Sequence, residues 1–68
     1  MTLGTVVEFD ERRGLGVLAT AEGERLTFHA VSISDGSRRI SEGARVRFTL
    51  RPGNLGEWEA ADLEPLAP

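Results

Sequence analysis

The side chains in this chain that could engage a ligand are few. Arg12-Arg13 and Arg38-Arg39 form two arginine pairs, His29 is the sole histidine, and Phe9 ends a β-branched run. Trp58, the single tryptophan, stands between Glu57 and Glu59. Guanidinium groups grip phosphate bidentately and lie flat on rings, and aromatic and imidazole rings offer stacking surfaces. The set suits contacts to phosphate and to planar groups. It does not suit catalysis. The carboxylates Glu8 and Glu11, and Glu57 and Glu59, are neighbours in sequence without a nucleophile, a second histidine or a metal-ligand cluster beside them. With no cysteine there can be no disulfide, and a zinc or haem site lacks its ligands. No metal, cofactor or small-molecule substrate is expected. Gly14-Leu15-Gly16 imitates a phosphate loop, but no helix follows it. Its glycines read instead as permitting close strand packing or a bulge.

Charge sets a further bound. Eleven acids against eight bases, all of them arginine, give a formal charge of −3. Such a chain steers a polyanion poorly at long range, although a local basic face still binds phosphate. No apolar run approaches the roughly 20 residues needed to span a bilayer. The opening Met1-Thr2-Leu3-Gly4 lacks the basic and apolar regions of a signal peptide. A cytoplasmic protein without membrane contact is expected.

The elements that must position these side chains are short strands cut by glycine. Leu3 to Phe9, with Thr5-Val6-Val7, predicts a first strand. Leu15 to Thr20 follows the turn at residues 10–14, and Glu22-Gly23-Glu24 makes a hairpin to a third strand, Arg25 to Val31. In that strand Leu26 and Phe28 share one face, with Thr27 and His29 on the other. Residues 32–43 read as an irregular connection around Ser34-Asp35-Gly36-Ser37. Arg45 to Arg51 alternates strictly, which sends Val46, Phe48 and Leu50 to the core and Arg45, Arg47 and Arg51 to solvent. A turn at residues 52–56 leads to a last strand, Trp58 to Glu64, and residues 65–68 read as a frayed tail. Residues 1–68 thus form one domain, near the lower size limit for unaided folding. The expected fold is all-β: a five-stranded antiparallel Greek-key barrel of the OB type, which leaves no open sheet edge.

Three segments carry a resemblance. Gly4-Thr5-Val6-Val7-Glu8-Phe9, Arg13-Gly14-Leu15-Gly16-Val17-Leu18 and Leu26-Thr27-Phe28-His29-Ala30 resemble the bacterial cold-shock protein family, which carries G-x-V-K-W-F, K-G-F-G-F-I and V-F-V-H-F at the same intervals. Gly43, Val46, Phe48 and the run Ala60-Ala61-Asp62-Leu63 extend the match over nearly the whole chain. The resemblance implies a sequence-tolerant binder of single-stranded RNA or DNA, in which aromatics on strands one to three stack on bases and basic residues hold phosphates. It carries the binding role to Phe9, Arg12, Arg13, Leu15, Val17, Thr27, His29, Ala30, Arg38 and Arg39. The departures lie on that same surface. The family tryptophan is Glu8 and the lysine before it Val7, while phenylalanines are replaced by Leu15, Val17, Thr27 and Ala30. The connection's aromatic gives way to Ser37-Arg38-Arg39. About five or six lost platforms at ~1 kcal/mol each weaken binding by several powers of ten.

Weak nucleic-acid binding is therefore the first expectation, with His29 and Phe9 left to stack and Arg13 in place of a phosphate-contacting lysine. His29 also suits a merely solvated surface position, and Arg12-Arg13 a turn paired with Asp10 or Glu11. The alternative is a protein-interaction or self-associating module, using an aliphatic patch of Val7, Leu15, Val17, Ala30 and Val31. Trp58 either covers the open end of the barrel or is a partner-binding residue. Arg45, Arg47 and Arg51 read as a solvated face.

Overall fold

A chain that alternates apolar and polar residues between glycine turns can bury its apolar half only by rolling a sheet on itself. The computed structural model of the chain describes residues 2–53 and 56–66. The strands are β1 (Thr2–Asp10), β2 (Leu15–Thr20), β3 (Arg25–His29), β4 (Arg45–Pro52) and β5 (Trp58–Pro65). They close a barrel in the order β1-β2-β3-β5-β4. This is the expected all-β, five-stranded architecture, with one refinement. A ring with an odd number of strands cannot alternate direction all the way round. The odd contact falls between β3 and β5, which run parallel where Thr27 pairs with Glu59. No helix among the described residues is long and apolar enough to cross a membrane.

Val6, Leu18, Leu26, Phe28, Ile33, Val46, Phe48, Ala60 and Leu63 form the core, with Phe9, Ile40 and Ala44 packed against it. The largest buried side chains, Phe28, Phe48, Leu18 and Leu63, each contribute about 1.5–3 kcal/mol.

Two bulges break the alternation, and both matter for the surface. The β1–β2 register shifts between Val6 and Glu8, so Val7 is the extra residue. Inward positions therefore step from Val6 to Phe9 rather than to Glu8. In β5 the register shifts opposite Arg47 and Thr49, where Asp62 takes a left-handed backbone with φ 52°. Aspartate is one of the few residues besides glycine that visit this conformation routinely. Here its Oδ2 accepts the Thr49 hydroxyl at 3.1 Å.

Four expectations need correction. β3 ends at His29, and Ala30–Ser32 form a 3-10 turn, which buries Ala30 and leaves Val31 72% exposed. Leu50 is 49% exposed rather than in the core. There β4 is flanked by β5, where Leu50 pairs with Ala60, and its described pairing with β1 runs from Arg45 to Phe48. The tail is anchored further than expected. Pro65 pairs with Val46, and the Leu66 N–H donates to the Arg45 carbonyl at 2.9 Å. Pro52 belongs to β4 rather than to the following turn, which the Gly53 N–H closes onto the Glu57 carbonyl at 2.6 Å. Asn54 and Leu55 of that turn, and Ala67 and Pro68 of the tail, lie outside the described residues.

Candidate nucleic-acid interface

Strand register turns the binding-face residues into a small grid. Glu8 pairs with Val17 and Val17 with Thr27; Asp10 pairs with Leu15 and Leu15 with His29. Directly opposed residues share a face. Leu15 and Val17 are half-buried, whereas Glu8, Asp10, Thr27 and His29 are exposed. This face is aliphatic in its middle strand and polar on either side.

The row between these two explains the face's backing. Phe9 pairs with Gly16 and Gly16 with Phe28, and the two rings stack at 5.9 Å between centroids and 5° between planes. A Cβ on Gly16 would lie 2.3 Å from the Phe28 ring. Glycine is thus required there by close approach, not by any phosphate. It follows that Phe9 is not a free stacking surface on the outer face. The bulge at Val7 turns its ring inward onto Phe28.

The turn from β1 to β2 supplies the basic edge. The Asp10 carboxylate oxygen Oδ1 accepts the backbone N–H groups of Arg12 and Arg13 at 3.1 and 3.2 Å. The turn closes where the Gly14 N–H meets the Asp10 carbonyl at 2.8 Å. Asp10 therefore organises the turn backbone rather than pairing with the guanidiniums. Glu11 pairs with Arg39 at 2.8 Å, a contact between the long connection and the turn that engages Arg39 on the protein's own surface. Among the described residues Arg12, Arg13 and Arg38 are in no ion pair. With Glu11, His29 and Val31 they line one shallow recess of about 360 Å³. A second, of about 350 Å³, runs over Glu8, Asp10, Arg13, Leu15, Val17 and Thr27. Arg13 belongs to both.

Several residues fall outside this surface. Ala30 is 8% exposed and seated by its N–H on the Gly14 carbonyl at 2.8 Å, so it leaves both the stacking set and the aliphatic patch. On β4, Arg47 bonds Glu64 and Arg51 lies 3.7 Å from Asp62, so this row is largely neutralised by β5. Trp58 is 58% exposed, which removes it as a cover for the barrel's end. It lies beside Thr27 and His29, a neighbourhood that the sequence hides because it depends on the parallel β3–β5 contact. Val31 at the basic recess was equally hidden, since its exposure follows from the 3-10 turn. Among the described residues no group of His, Asp and Glu side chains is placed to hold a metal ion.

No family model matches the chain. Individual relatives do. The Major cold shock protein of Streptococcus pyogenes, found in several serotypes, is 31% identical over 68 residues, spanning 98% of this chain and 100% of the relative. Full-length similarity at that level joins the closed five-stranded barrel and the glycine-framed β2. This chain belongs to the cold-shock protein family.

Proposed function

We propose that the chain binds single-stranded RNA or DNA in the cytoplasm, weakly and with little sequence preference across the β1–β3 face, and that it acts by binding rather than catalysis. The observation that carries this reading is the register that lays Leu15 beside His29 and Val17 beside Thr27, with Arg12, Arg13 and Arg38 at one edge. The arginines hold phosphates, His29 stacks on a base, and the two aliphatic side chains give apolar contact. Glu8, exposed in the same grid, opposes phosphate and keeps affinity low.

Restoring aromatic surface tests the reading. Leu15→Phe, Val17→Phe and Thr27→Phe together should tighten binding of a pyrimidine oligonucleotide at least about a hundredfold, from ~1–3 kcal/mol per stacked base. No gain would mean that this face does not contact bases. The competing module reading is the weaker one, because its patch loses Ala30 to the core. Val7 and Val31, 38% and 72% exposed, are isolated apolar residues of a kind common on monomers.

A further inference from the structure

The recess beside Trp58 continues the β1–β3 face and differs from it in chemistry. The parallel contact of Thr27 with Glu59 brings the head of β5 against β3. There Thr27, His29, Gly53, Glu57, Trp58 and Glu59 line a polar recess of about 170 Å³. His29 also lines the basic recess, and Thr27 the aliphatic one. A strand held by Arg12, Arg13 and Arg38 and crossing His29 would next meet Trp58.

Two features give this position a preference. The first is the exposed indole, which offers a stacking face for one base. The second is a pair of acceptors, the carboxylates of Glu57 and Glu59, whose residues line the same recess. The Glu59 carboxylate lies over Gly53, where a Cβ would come within 2.7 Å of its Oε2. Arg51, opposite Glu59 in the β4–β5 register, turns to Asp62 instead. Among the described residues neither Glu57 nor Glu59 is in an ion pair. An ionised carboxylate only accepts hydrogen bonds. Held at the 4-position of a stacked pyrimidine, it matches the N4 amino group of cytosine and opposes the O4 of uracil or thymine as one acceptor against another.

We propose that Trp58 stacks on one base of the bound strand and that Glu57 and Glu59 select cytosine over uracil or thymine at that position. This rests on the nucleic-acid reading above and adds one selective site to an otherwise tolerant face.

Cytosine and uracil heptamers of RNA provide the test, titrated into the intact chain at pH 7.5. Labelled-oligonucleotide anisotropy reports affinity, and emission of the sole tryptophan reports the site. The cytosine heptamer should quench Trp58 and bind at least about fivefold tighter than the uracil heptamer. Trp58→Ala should weaken cytosine binding about fivefold to a hundredfold. The double variant Glu57→Gln/Glu59→Gln should bring the cytosine-to-uracil ratio close to one, even if both affinities rise as repulsion of phosphate is relieved. Equal affinities in the unmodified chain, or binding that leaves Trp58 emission unchanged, would overturn the inference while the broader reading stands. Absence of binding to either heptamer would remove both. Quenching by an arginine-rich peptide but by neither heptamer would also overturn it, assigning the recess to cationic side chains of a protein.

Discussion

Single residues decide how much of the binding surface survives. Gly16 is constrained from the inner side by the Phe28 ring, 2.3 Å from where its Cβ would be. Gly16→Ala should therefore destabilise the barrel by about 1–3 kcal/mol, read as a lower urea midpoint with an unchanged slope. A smaller loss would mean that the Phe9–Phe28 pair slides without cost. Arg12 and Arg13 lie outside the packing and have no ion-pair partner among the described residues. Their replacement by serine should leave the urea midpoint in place and weaken oligonucleotides of all sequences alike. Each loss should also lower the salt slope by about 0.7. An unchanged slope would remove them from the phosphate contacts.

At the scale of elements, the sequence was legible wherever one face of a strand decided the pattern. β2 runs from Leu15 to Thr20 as its residues predict. The division of β3 into Leu26 and Phe28 inside, with Thr27 and His29 outside, also holds. The bulges were not legible, because Val7 and Asp62 carry no local mark of an extra residue. Their effects are large all the same. The first leaves Glu8 outside and turns Phe9 inside; the second makes the core positions of β5 step from Ala60 to Leu63. The 3-10 turn after His29 was hidden for the same reason, since the β-branched Val31 suits the continuation of a strand by composition. Basic positions could be read, but not which of them are already occupied. The Glu11–Arg39 pair joins two loops across the surface and is well exposed at both ends. Glu11→Gln should free Arg39 and tighten oligonucleotide binding severalfold, with a stability change within about 0.5 kcal/mol. An unchanged affinity would place Arg39 outside the path of the strand.

Across the whole molecule, a charge of −3 coexists with a local basic edge because the cations are unevenly occupied. Arg47 and Arg51 are drawn to Glu64 and Asp62 on the side of β4 and β5, and Arg39 to Glu11. Arg12, Arg13 and Arg38 remain together around one recess. The barrel also has little stability in reserve at this size. Phe28→Ala, a loss of about 3–5 kcal/mol, should leave the chain largely unfolded at room temperature by circular dichroism, whereas Trp58→Ala should not. The most direct test of the central claim is a titration of a fluorescent pyrimidine oligonucleotide at low and at physiological salt. Three phosphate contacts would give a log-affinity slope near −2 against log salt, at about −0.7 per contact on a single strand. Binding in the micromolar range at low salt that weakens with that slope is the expected result. Absence of binding at low salt, or an affinity indifferent to salt, would contradict it and mark the barrel as a protein-contacting module.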